Sequence, residues 1–83
     1  MALFLITHEL ARPREEYAAL WKRLSADQAV QVLASSWLVR SPRSAVQLLQ
    51  DLSDLLDEHD RLMVVELSQA YAWRNPIADP AIA

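Results

Sequence analysis

Ala2-Leu3-Phe4-Leu5-Ile6-Thr7-His8-Glu9-Leu10 is an apolar run that stops at a polar pair. Its apolarity is continuous rather than alternating, the pattern of a strand covered on both faces. Phe4 and the β-branched Ile6 and Thr7 favour strand over helix. The stretch therefore reads as a central β-strand whose carboxyl end delivers Glu9 to a loop. The end of that strand is the first place to look for chemistry.

Moving outward, Ala11-Arg12-Pro13 reads as a helix start, with Pro13 at the first helical position and Glu15 and Glu16 favourable to the helix dipole. The helix is expected to run to about Leu24, because Tyr17, Leu20, Trp21 and Leu24 form one apolar stripe. For Tyr17 and Trp21 a core role outweighs ligand stacking. Ala29-Val30-Gln31-Val32-Leu33 and Trp37-Leu38-Val39 read as two further strands. Ala34-Ser35-Ser36 between them lacks the Asn-Gly or Asp-Gly chemistry of a tight hairpin. A longer or bulged connection and one bent strand shared by two sheets both remain open.

Ser44 is the expected N-cap of a second helix, with Gln47 completing a capping box, and Ala45, Leu48, Leu49, Leu52, Leu55 and Leu56 keep one face apolar to about Glu58. Arg61-Leu62-Met63-Val64-Val65-Glu66-Leu67 is the last clear strand. Ala70-Tyr71-Ala72-Trp73 alternates small and aromatic residues, as in a short edge strand packed on one face or on another protomer. Residues 1–74 form one domain, and 75–83, with Pro76 and Pro80, an extended, poorly ordered tail.

The fold class is thus α+β, in the order β-α-β-β-α-β: a ferredoxin-like arrangement with two helices on one face of an antiparallel sheet and an extra C-terminal edge strand. Right-handed crossovers place the first strand beside the third and the fourth. One sheet face stays uncovered in a single protomer. Trp37, Val39, Met63 and Val65 are expected to line it, and with Tyr71 and Trp73 to form a dimer interface.

The totals narrow the function. An 83-residue chain supports one small core, for which oligomerisation is the expected support. Without cysteine there is neither a disulfide nor a thiolate metal site, and a cytoplasmic location is the default. No Lys or Arg precedes the first apolar run, which is also too short to span a membrane. Eight Lys and Arg against eleven Asp and Glu give a net charge of −3, lacking the global basic signature of a nucleic-acid binder. The chain contains no glycine, which removes the phosphate loops of nucleotide-cofactor enzymes.

Few residues remain to carry chemistry. His8 and Glu9 are strand neighbours pointing to opposite faces, so they do not chelate one ion together. His59 reads as solvated, and Asp51, Asp54, Asp57, Glu58 and Asp60 as a solvated acidic face without the calcium-loop pattern. Arg12 and Arg14 follow the first strand, and Arg40 and Arg43 the third. The topology puts these pairs at opposite ends of the sheet, and a two-fold dimer would bring basic patches together for phosphate contact.

Ile6-Thr7-His8-Glu9-Leu10-Ala11-Arg12-Pro13, Ser35-Ser36-Trp37-Leu38-Val39 and the stretch from Glu58 to Leu67 resemble motifs of the small Cas-two-type and VapD-like ferredoxin-fold proteins of prokaryotes, especially their short SinR-like relatives. The resemblance implies a homodimer with facing sheets, residues 70–73 being added to the partner. It also implies that Glu9 stands where catalytic relatives carry an aspartate tied to Mg²⁺- or Mn²⁺-dependent nuclease activity, two copies meeting across the dimer axis. Other relatives bind duplex DNA without cleaving it. Two functions follow: a homodimeric adaptor touching nucleic acid or another protein through its arginine loops, which is preferred, and a metal-dependent endonuclease acting on RNA or DNA through paired Glu9 carboxylates.

Overall fold

A computed structural model describes residues 1–68 and 70–78. The chain forms β1 (Ala2–Glu9), a 3-10 turn (Arg14–Tyr17), α1 (Ala18–Ala26), β2 (Val30–Leu33), β3 (Ser36–Ser41), α2 (Ala45–Ser53) and β4 (Arg61–Leu67). It is an α+β fold in which a four-stranded antiparallel sheet, in the order β2-β3-β1-β4, carries both helices on one face. As expected, β1 is internal and pairs with both β3 and β4.

Strand alternation sorts β1 into two sets. Phe4 and Ile6 point toward the helices and join Tyr17, Leu20, Leu24, Leu48 and Leu52 in the main core. Leu3 and Leu5 point the other way, toward Leu38, Val32, Val30 and Leu67. Trp37 and Val39 alternate with Leu38 and so fall on the helical side, fully inside the main core. This corrects the expectation that they line the open face. The register pairs Ile6 with Trp37 and Phe4 with Val39, and side chains of directly opposed residues share a face. Met63 and Val65 do lie on the open face and are 56% and 37% exposed.

The expected edge strand at residues 70–73 does not form. Residues 70–76 instead run in irregular conformation across the open face and line a cavity with Leu5, Val32, Leu33, Leu38 and Leu67. Asn75 takes a left-handed φ of 50°, and the Ile77 amide donates to the Val32 carbonyl at 2.7 Å, tying this C-terminal arm to β2. The arm explains why Leu3, Val32 and Leu38 are only 7%, 6% and 4% exposed on a face without helices. The face is therefore half covered by the chain itself, and of the expected tail the described residues 75–78 lie against β2 through the Ile77 bond. Residues 79–83 of that tail lie outside the described residues.

The connection between β2 and β3 is short and bulged. Leu33 pairs with Ser36 across the Ala34-Ser35 turn, while the register slips between Gln31 and Leu33. Without a positive φ at either turn residue, the extra residue Val32 takes up the misfit that an Asn-Gly turn would have absorbed.

Helix boundaries follow local bonding. The stretch after Pro13 begins as a 3-10 turn, the Glu16 amide donating to the Pro13 carbonyl at 3.0 Å, before becoming α-helical at Ala18. Ser44 caps α2 in the expected box: the Gln47 amide donates to Ser44 Oγ at 3.2 Å and the Ser44 amide to Gln47 Oε1 at 2.9 Å. The helix ends at Ser53 rather than Glu58. There Ser53 Oγ donates back to the Leu49 carbonyl at 2.6 Å, and Leu55 and Leu56 make tighter i→i−3 bonds.

α1 ends with Gln28 at φ 60°, the left-handed position usually given to glycine, while the Ala29 amide reaches the Leu24 carbonyl at 2.9 Å. A side chain there costs about 1–2 kcal/mol, against about 0.5–1 kcal/mol of extra entropy lost by a glycine on folding. Gln28→Gly is therefore expected to raise the stability by about 0.5–1 kcal/mol. Urea unfolding checks this, and a drop in midpoint would contradict the strain assigned to that residue.

Candidate functional site

The carboxyl end of β1 gathers aromatic and charged groups from three elements. His8 is 7% exposed, and its Nε2 accepts a hydrogen bond from Trp37 Nε1 at 3.2 Å. The proton of the neutral imidazole therefore resides on Nδ1. Burial pushes the His8 pKa down, the Arg14 charge pushes it further, and a hydrogen bond to backbone at His8 opposes them in part.

Trp21 lies between two partners. Its ring stacks on Trp37 at 5.7 Å and 20°, and the Arg14 guanidinium sits 4.3 Å from its centroid. Trp21 Nε1 donates to the Arg14 carbonyl at 2.9 Å, and His8 and Tyr17 approach its ring at 5.5 and 6.3 Å. Stacked on Trp37 and held by Arg14, Trp21 is half-buried and packs against the main core.

A second knot fixes the loop that carries Arg12. Tyr17 Oη donates to Asp60 Oδ1 at 2.6 Å, the Ala11 amide donates to the same oxygen at 2.8 Å, and the Asp57 amide donates to Oδ2 at 2.8 Å. The Arg12 amide donates to Tyr17 Oη at 3.2 Å. Desolvation acts to raise the Asp60 pKa, but these donors and the Arg12 charge outweigh it and hold the carboxyl below its usual range. Asp60 therefore remains an anion that joins the turn before β4 to the loop after β1. This knot was not foreseen; the nearest signal is an aspartate immediately before a strand, which by itself reads as a turn residue.

The predicted site residues do not converge. Glu9 is exposed and lies 3.9 Å from Arg61, at a cleft of about 140 Å³ shared with Thr7, His8, Leu62 and Met63. Among the described residues, no three acidic, histidine or cysteine side chains come together as a metal site. Arg12 pairs with Asp57 at 3.1 Å and Glu16 at 3.6 Å, and shares a cleft of about 240 Å³ with Arg14, His8 and Trp21. Arg40 and Arg43 stand at the far end of the sheet, where Arg40 pairs in register with Leu3 and Arg43 bonds Asp51 at 2.6 Å. Tyr71 and Trp73 are exposed on the arm, their rings 5.9 Å apart. Among the described residues, no helix is long and apolar enough to cross a membrane.

The buried histidine sets a pH dependence. In the unfolded chain His8 takes up a proton near pH 6.5, whereas in the folded protein it does so only at lower pH. The unfolded state thus binds more protons between these values, and stability is expected to fall as pH drops below about 6.5. His8→Gln, whose amide oxygen still accepts from Trp37, should flatten that part of the profile. Urea midpoints measured from pH 7.5 to 5 check this, and an unchanged slope in the variant would count against it. Compared with the models of known families and with curated protein sequences, the chain matches none of them.

Proposed function

We propose that this chain is a ferredoxin-like homodimeric adaptor, which binds a macromolecule rather than transforming it. The β-α-β-β-α-β order, the strand order β2-β3-β1-β4 and the helices on one face support that fold reading. The observation that carries dimerisation is β4. It is an edge strand of seven residues without proline, bonded on one side to β1; among the described residues no strand pairs with its other edge, beside which Met63 and Val65 are exposed. An edge of this kind is a template for pairing. The opposite edge is partly occupied, since Ile77 already bonds Val32 on β2.

Antiparallel pairing of two β4 strands about Val64 sets Met63 opposite the partner's Val65 and joins two four-stranded sheets into one. It also separates the two copies of Glu9. Glu9 pairs in register with Arg61 at one end of β4, so the two-fold carries its copy roughly 20 Å along the strand direction, six residues at about 3.4 Å each. This dimer and a paired-carboxylate nuclease exclude one another, and the adaptor reading follows from the first. Mg²⁺ or Mn²⁺ would be required only by the second.

The surface offered to a partner is the pair of arginine loops, doubled by the two-fold. Arg12 and Arg43 are already held by carboxylates, so phosphate contact has to compete with these ion pairs. Binding to duplex DNA or RNA is expected to be modest, to weaken steeply with salt and to drop on reversing Arg12 and Arg14 together. Affinity that ignores both changes would redirect the reading to a protein partner.

Light scattering is expected to give a dimer mass at micromolar concentration, with an unfolding midpoint that rises with protein concentration. Val65→Lys should yield a folded monomer. A monomeric parent, or a variant still dimeric, would overturn the β4 interface.

A further inference from the structure

The C-terminal arm does not close down on the sheet. Between them lies a cavity of about 380 Å³ with Leu5, Val32, Leu38 and Leu67 on the sheet side and Tyr71 and Trp73 on the arm. Cores pack with few voids larger than a water molecule, whereas small-molecule sites occupy about 300–1,000 Å³ and pair an apolar lining with a few polar groups. The space is therefore of ligand size.

Its polar group is Arg74, which lines the cavity. Arg12, Arg23, Arg43 and Arg61 each face a carboxylate of this chain, and Arg14 lies against Trp21. Arg74 has no acidic partner among the described residues. A guanidinium that lines an apolar cavity and has no carboxylate partner among the described residues matches a ligand with a carboxylate at one end and hydrocarbon at the other.

We propose that the cavity between the sheet and the C-terminal arm binds a small amphipathic carboxylate, its hydrocarbon on Leu5, Val32, Leu38 and Leu67 and its carboxylate on Arg74. The site lies mainly over β2, β3 and β1 and takes only Leu67, the last residue of β4, from that strand, so its test is separate from that of the β4 interface about Val64. The arm is the outer wall of the site: residues 70–76 have no regular structure, and the Ile77 bond to Val32 holds their far end against β2.

Decanoate below its micelle concentration is the probe, with 1-decanol as its uncharged counterpart, titrated calorimetrically into the full chain. Saturable binding of one decanoate per chain is expected. Arg74→Gln should weaken decanoate about tenfold or more, the worth of a charge-assisted hydrogen bond, while leaving decanol unchanged. Ala72→Phe, which adds a ring to the arm side of the cavity without touching the core, should weaken both ligands. Circular dichroism verifies that each variant is folded. No binding up to millimolar decanoate, equal affinity in Arg74→Gln, or unchanged binding in Ala72→Phe would each overturn the site. So would a parent whose mass grows as decanoate is excluded, because a second copy would then occupy the cavity.

Discussion

The structure depends on covering both faces of β1. A strand with two hydrogen-bonded neighbours has no free edge, so its stability turns on what lies above and below it. Below, Phe4 and Ile6 meet the helices. Above, Leu3 and Leu5 meet an apolar cluster completed by Val32 and Leu38 and roofed by the C-terminal arm. A chain of 83 residues buries a limited area, and both layers are needed to offset the entropy of ordering it. The arm therefore belongs to the fold and is not an appendage.

That double cover also sets the character of the strand's end. His8 follows Phe4 and Ile6 on the helical side, where an unpartnered imidazole would be costly, and Trp37 supplies a donor from the neighbouring strand. Trp21 then closes the layer, with Arg14 over its outer face. Glu9, one residue on, emerges on the opposite face into solvent beside Arg61. A buried neutral base and an exposed carboxylate at adjacent positions are thus a consequence of strand alternation. Their proximity in sequence does not make a catalytic pair.

The regular elements were legible because each has a local cause: continuous apolarity for β1 and β4, the Ser44-Gln47 box for α2, and the stripe of Tyr17, Leu20 and Leu24 for the first helical segment. Trp37 and Val39 were placed on the wrong face because a strand that is apolar throughout does not reveal which set points where. The register of β3 on β1, which sets Trp37 opposite Ile6 and Val39 opposite Phe4, decides that. Residues 70–73 read as a strand for a related reason. Alternation of small and aromatic residues fits an edge strand and equally an arm whose rings flank an apolar face. The site was least legible, since Asp60 with Tyr17, and Arg74 with the cavity, join residues far apart in sequence through side chains no local pattern foretells.

The open face is consequently divided into two surfaces of different character. Over β2, β3 and β1 the chain supplies a partial cover and leaves a partly open, mainly apolar cavity that Arg74 also lines. Along β4, Met63 and Val65 stay exposed beside an edge that no strand among the described residues pairs with. Leu67 is the junction, because it ends β4, packs on the Leu3 cluster and lines the cavity. Backbone edges recognise another strand with little regard for side chains, whereas an apolar cavity with a polar group at its rim selects by size and charge. The first suits a permanent symmetric contact and the second a small molecule that comes and goes. Both surfaces arise because one side of a single sheet is left without helices among the described residues.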